Sequence, residues 1–286
     1  MNYKSEIKAI VLCLLVLFPE VYAYANEEVT IGIFPRRNPT VTVKMFSPMI
    51  KYLQQETGKT VKLETAKNFP EFWTRVKKNR YDIVHYNQLH YVLSNDFDYT
   101  VFLKNEEFGK SLISSGLLIR KDSGIKTISD VRGKSIIFGG GELAFISNIG
   151  NRIQLLDNGI AKADYQSLFA RNPPNAALAV FYKRADAAGV GSVVLEIPSV
   201  KKRINTEELK FLATSDTQPH LPWAFSKSMN QETRKDISIA LQKLSQTPKG
   251  VKILSKAGLT NLVPATDEEY NSTRIVYKTY LDSLRK

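Results

Sequence analysis

The chain has 286 residues, 43% apolar and 24% charged, with 40 Lys and Arg against 28 Asp and Glu for a formal net charge of +12. That apolar content excludes a disordered chain, and the length suffices for one large or two medium domains. The only cysteine is Cys13, which excludes a disulfide framework and a thiolate metal site. The basic surplus is scattered, with short clusters such as Lys77-Lys78 and Lys201-Lys202-Arg203. No nucleic-acid motif accompanies it. Most of these residues read as solvated faces, and the charge favours anionic ligands over nucleic acid.

The first residues read as an export signal. Lys4 and Lys8 precede an apolar run from Ala9 to Phe18, Pro19 and Glu20 break it, and Ala23-Tyr24-Ala25 offers a small-x-small cleavage site. The run is far shorter than the roughly 20 apolar residues of a membrane span. Leu12 before Cys13 is not the small residue a lipoprotein signal uses. Residues 1–25 are therefore expected to be cleaved near Ala25, releasing a soluble mature chain, without a cysteine, into the periplasm.

Val29 to Phe34 is short, β-branched and apolar, and predicts a buried strand. Met45, Phe46, Met49, Ile50 and Leu53 recur at helical spacing, with Gly58 as the stop. Val61 to Thr65 alternates as a second strand, Phe69 to Lys78 reads as a helix, and Tyr81 to Tyr86 as a third strand. This β-α-β-α-β order implies a parallel sheet wrapped by helices. Ligands of such sheets sit beyond the carboxyl ends of the strands, which here means the loops Phe34 to Thr40, Thr65 to Phe69 and His85 to His90.

The pattern restarts after residue 120. Ser111 to Arg120 is extended and Ser135 to Phe138 is a buried strand. Gly139-Gly140-Gly141-Glu142 then leads into a helix from about Leu143 to Asp157. A helix over Ala176 to Lys183 and a strand over Asp186 to Val190 complete a second α/β lobe. Phe211 to Ser226 is extended and broken by Pro219 and Pro222. Helices then follow at about 231–244, 249–257 and 267–284, expected to pack back on the first lobe. The chain would cross between the lobes twice, near 111–120 and 213–226, which makes a hinge that closes by rigid rotation. The division expected is 26–115 plus 220–286 for lobe 1 and 116–219 for lobe 2.

Several segments, in this order, resemble one family. They are Phe34-Pro35-Arg36-Arg37-Asn38-Pro39-Thr40, Arg80 to Asn87 ending at Tyr91, Ile119 to Gly124 followed by Asp130 to Lys134 and the Phe138-Gly139 strand end, and the tail spacing Pro248-Gly250-Leu254 then Asp267-Tyr270-Arg274. Together they resemble the periplasmic phosphate, phosphite and phosphonate-type binding proteins that feed ABC importers. The resemblance covers almost all of the mature chain. It implies a two-lobed type 2 periplasmic binding protein fold, each lobe a mixed, mostly parallel sheet with flanking helices. It also implies a small oxyanion-bearing, phosphonate-like ligand, and a helix start in lobe 2 whose N–H groups grip the anionic head.

The family's Ser/Thr-rich stretch after the Phe-Gly strand end is here Gly140, Gly141, Glu142, Leu143, Ala144, Phe145, Ile146 and Ser147. Hydroxyls are missing until Ser147, and a glutamate stands where an anion docks. Glu142 has three open readings: a helix-capping carboxylate, a partner for an amine on the ligand, or a sign that no small solute binds there. In lobe 1, Phe69 and Tyr86 fall where the family lines its cleft, and His85, Tyr86 and Asn87 put three hydrogen-bonding groups at one strand end. Arg36 can fork onto an oxyanion or be a solvated loop residue. Asn175 at a helix start, a ligand contact or only that helix's cap, and His220 between prolines, a contact or a satisfied loop histidine, complete the candidates.

An enzyme is not expected. No Gly-x-Ser-x-Gly occurs, and His85, His90 and His220 have no triad or metal partner in the pattern. The glycine run lacks the later glycine and lysine of a phosphate-binding loop. No cofactor or metal is implied. The expected partner is an ABC permease or, alternatively, a membrane sensor kinase, and the protein is expected to be a monomer.

Overall fold

The computed structural model describes residues 28–35 and 37–285. The expected leader, residues 1–25, and the candidate Arg36 lie outside them. In the first lobe β1 (Glu28–Ile33) leads to α1 (Pro39–Thr57), β2 (Thr60–Glu64), α2 (Phe69–Lys77), β3 (Ile83–His85), α3 (Gln88–Ser94) and β4 (Tyr99–Glu106). Each of these helices opens on an asparagine, Asn38, Asn68 or Asn87, whose side chain accepts a first-turn N–H. Proline at the start of α1 and α2 costs nothing there, because that N–H has no helical partner.

The chain then builds β5 (Leu112–Arg120), β6 (Ser135–Gly139), a π-helical turn (Phe145–Ile149) running into α4 (Gly150–Asp157), β7 (Gln166–Ala170), α5 (Pro173–Phe181), β8 (Ala187–Gly191) and β9 (Leu209–Pro219). It returns through β10 (Pro222–Ser226), α6 (Gln231–Lys243), α7 (Pro248–Ala257), β11 (Asn261–Pro264) and α8 (Asn271–Ser283). Two sheets result, ordered β11-β4-β10-β3-β1-β2 and β7-β6-β8-β5-β9. In each, three strands pair in parallel, β2-β1-β3 and β7-β6-β8, and the rest are antiparallel. This is the two-lobed, mixed α/β architecture expected above. The chain passes between the sheets at residues 107–111 and again at 220–221, so β5 begins before the expected lobe boundary at 115.

Two features depart from the pattern reading. The strands β4, β7 and β11 carry no clear period of their own; β7 and β11 are edge strands that exist because a neighbour pairs with them. The last three helices also divide. Helices α6 and α7 pack on the first lobe, against α1. Helix α8 lies across both lobes: Val276, Tyr277 and Tyr280 cover a cluster of Leu89 from α3 with Phe145 and Ile149 from the π turn.

The core of the first lobe lies on both faces of its sheet, and the position of Tyr86 follows from this. Tyr86 is a correction to the sequence reading. It is fully buried among Phe72, Tyr81, Tyr91 and Tyr99 and does not line the cavity between the sheets. Ser94 Oγ gives its proton to the Tyr91 carbonyl at 2.7 Å, so the Tyr86 hydroxyl donates to Ser94 Oγ at 2.6 Å. Tyr86→Phe is expected to cost about 1 kcal/mol, the net value of a buried hydrogen bond. Tyr86→Ala is expected to cost about 3–5 kcal/mol through the cavity it leaves. Urea unfolding of both variants checks this, and a Tyr86→Ala protein as stable as the wild type would contradict the core assignment.

Candidate functional site

A cavity of about 340 Å³ opens between the two sheets, within the range that holds small organic ligands. One wall comes from the first lobe: Phe34 and Pro35 after β1, Phe69 at the start of α2, Asn87, Gln88 and His90 around the start of α3, and His220 and Leu221 at the second crossover. The other comes from the second lobe: Gly139 to Ser147 after β6, Arg171 to Pro173 after β7, and Gly191, Val193, Val194 and Ile197 after β8, with Ile113 from β5. The carboxyl ends of the parallel strands therefore face one space.

The second wall depends on close backbone approach at Gly139. A Cβ there would sit 2.5 Å from Pro173 Cα, so only glycine lets β6 end against the start of α5. Gly140 follows at φ +112, which turns the chain into the loop. The loop is then tied from behind. Asn148 Nδ2 donates to the Glu142 carbonyl at 2.7 Å, and Asn151 Nδ2 donates to the Ile146 carbonyl at 3.0 Å. Arg152 Nε donates to Asn148 Oδ1 at 2.7 Å. These three residues were not singled out from the sequence, although polar side chains at helical spacing in an apolar helix were a signal.

The described candidates fall into two groups. Phe69, Asn87, Gly140, Gly141, Glu142, Ser147 and His220 line the cavity. Glu142 is exposed in the loop, and the residue that precedes the π turn is Ala144, so Glu142 is not a helix cap. The Ser147 hydroxyl donates to the Gly139 carbonyl. His85 and Asn175 do not line the cavity. The His85 ring stacks on Trp223 at 4.4 Å, its Nδ1–H donates to the Pro222 carbonyl, and it borders a separate cavity of about 40 Å³. Asn175 is exposed. The cap of α5 is Asn172, whose Oδ1 accepts the Asn175 N–H at 3.0 Å. The Asn-Pro-Pro order was the signal, since proline prefers the first helical position.

The π turn brings backbone N–H groups to the cavity wall. Those of Phe145, Ile146 and Ser147 start the helix and have no acceptor among the described residues, as expected of a first turn. The start of α5 offers nothing comparable. Pro173 and Pro174 lack the N–H, and Asn172 already takes that of Asn175.

Asn87 joins the walls. Its Oδ1 accepts both the backbone N–H and Nδ1–H of His90, at 2.8 and 2.7 Å, and its Nδ2 donates across the cleft to the Leu143 carbonyl at 3.1 Å. These bonds fix the amide orientation and leave Nε2 of the neutral His90 ring as an acceptor. Phe69 stacks on that ring at 5.0 Å and Trp73 meets its edge at 5.1 Å. Burial pushes the imidazole down to about 4 from its usual 6.5. At the crossover, His220 Nδ1 accepts the Leu221 N–H at 2.8 Å, and its Nε2 lies 3.9 Å from Glu107 Oε2.

The depressed His90 value sets a pH dependence. Between about 4 and 6.5 the unfolded chain binds a proton that the folded chain refuses. Stability from this group is therefore complete above pH 6.5, falls on acidification, and levels off below about 4. The loss is on the order of 3 kcal/mol. Urea unfolding from pH 7 to 4 is expected to show this slope, and His90→Phe to flatten it. Equal slopes in both proteins would contradict the assignment.

The family of ABC-transporter phosphonate periplasmic substrate-binding proteins matches residues 31–270. No curated protein matches the chain. Among similar solved structures is the binding-protein component of an ABC phosphonate transporter from Pseudomonas aeruginosa, 18% identical, covering 90% of this chain and 88% of that chain with a TM-score of 0.76. PhnD1 from Prochlorococcus marinus, in complex with methylphosphonate, is 15% identical over 90% of this chain and 99% of that one, with a TM-score of 0.76. XAC2383 from Xanthomonas citri, bound to ATP, is 17% identical over 90% and 97%, with a TM-score of 0.70. At these identities the structures establish the fold, and the match along most of the sequence establishes kinship. The chain belongs to the periplasmic substrate-binding proteins of the ABC phosphonate transporter family.

Proposed function

We propose that this protein is exported, trimmed near Ala25, and works as a monomeric periplasmic receptor. It captures a small organic solute with an oxyanion head and delivers it to an ABC permease; it catalyses no reaction. The observation that carries this reading is the two-walled cavity at the strand ends, between sheets joined by two chain crossings at 107–111 and 220–221. Two lobes joined by two short crossings can rotate as rigid bodies and enclose a guest.

The head group is assigned to the N–H groups of Phe145, Ile146 and Ser147, where a helix start favours negative charge. The +12 net charge draws anions toward the surface. PhnD1, which shares the fold, holds methylphosphonate, and that supports an oxyanion head here. Phe69, Asn87 and His220 form the first-lobe side of the proposed site, and Gly140, Gly141 and Glu142 the second-lobe side.

Closure is testable through Asn87. Asn87→Asp keeps an acceptor for His90 and for the helix cap, but it removes the donor to Leu143 and sets a carboxylate against that carbonyl. Affinity for a phosphonate panel is expected to fall about fivefold or more, the equivalent of one hydrogen bond of ~1 kcal/mol. Solution scattering of the wild type is expected to show a smaller radius with ligand than without. Calorimetry and scattering that find neither binding nor compaction with any organic oxyanion would defeat the reading.

A further inference from the structure

The proposed head group accounts for little of the cavity. Its volume of about 340 Å³ is roughly eleven times the ~30 Å³ share of one water molecule in the liquid. A five-atom oxyanion leaves most of that space unfilled. Much of the rest is walled by hydrocarbon. Phe34 and Phe69 meet with ring centroids 5.8 Å apart, and Ile113, Leu143, Val193 and Ile197 face them from the second lobe.

The polar groups needed to bury a compact dianion are scarce. Among the described lining residues Ser147 alone has a hydroxyl, and it donates to the Gly139 carbonyl. The start of α5 is closed by its prolines and its own cap. Among the described lining residues Arg171 is the single arginine or lysine; it is exposed, and the exposed carboxylate of Glu142 shares its wall. Burying a charge without paired donors is costly, and among the described lining residues the second negative charge of a small dianion would have only the exposed Arg171 to offset it. Leu143, in contrast, is 46% exposed while lining the cavity. Its surface gains from being covered by another apolar group.

We propose that the cavity selects its solute by an apolar arm, an aryl ring or short branched alkyl chain, and only secondarily by its anionic head. This rests on the reading of the cavity as the solute site. It differs in making the hydrocarbon the discriminating part.

Matched probes separate the two. Calorimetry on the mature chain compares inorganic phosphate, methylphosphonate and phenylphosphonate, with methanesulfonate and benzenesulfonate as a second pair. The phenyl member of each pair is expected to bind at least tenfold tighter than the methyl member, with phosphate weakest. Leu143→Ser is expected to lower phenylphosphonate affinity at least threefold more than methylphosphonate affinity. Methyl members binding as tightly as phenyl members would overturn the apolar selection and leave solute capture standing. Equal effects of Leu143→Ser on both ligands would overturn the wall assignment. No binding by any probe would overturn this proposal together with the reading beneath it.

Discussion

The guanidinium of Arg152 is buried, and among the described residues no carboxylate lies within ion-pair distance of it. Neutral oxygens satisfy it instead: Asn148 Oδ1 at 2.7 Å, Tyr165 Oη at 2.8 Å and Ser167 Oγ at 3.3 Å, with the Phe138 face 4.4 Å away. A buried cation tolerates no loss of such partners. Asn148 therefore has one orientation, and its amide holds the Glu142 carbonyl. The loop after β6, which supplies the second wall of the cleft, is positioned by a charge that never touches the cavity.

The first wall is organised by a neutral group. Asn87 caps α3 and sets the tautomer of His90 through its Oδ1, and reaches the Leu143 carbonyl through its Nδ2. Cap, ring orientation and cross-cleft contact thus rest on one amide. The crossing strands are as tightly held. Gln88 Nε2 donates to the Pro219 carbonyl, the Tyr270 hydroxyl to the His220 carbonyl, and Trp223 Nε1 to Asn105 Oδ1. Buried backbone at a waist must find partners, and Gln88 and Tyr270 supply them for the Pro219 and His220 carbonyls. Helix α8 adds a third link, because its aromatic residues cover Leu89 of one lobe and Ile149 of the other. Rotation of the lobes has to slide or uncover that contact.

Family membership and cavity chemistry pull in different directions, and the difference is local. The fold presents the helix start proposed above for an anionic head. The residues around it are Gly140, Gly141, Glu142, Leu143 and Ala144, which offer no hydroxyl. A scaffold of this kind keeps its closing geometry while its lining changes. Function and ligand class are therefore separate conclusions, the first carried by the whole chain and the second by a few side chains.

The sequence by itself determined the alternation of strands and helices. Period and capping are local properties: β1, α1 and its stop at Gly58, β2 and α2 were all legible from side-chain spacing. So was the restart after residue 120, and with it a two-lobed α/β plan. Edge strands such as β7 and β11 were not legible, because pairing comes from a neighbour distant in sequence. The site was legible only as a set of strand ends. His85, Tyr86 and Asn87 are consecutive, and only the tertiary structure decided among them. Trp223 from the returning strand β10 takes the face of His85, the aromatic core takes Tyr86, and Asn87 is left to face the cleft. Which face of a strand meets a partner is set by what packs there, and those partners arrive from the far end of the chain.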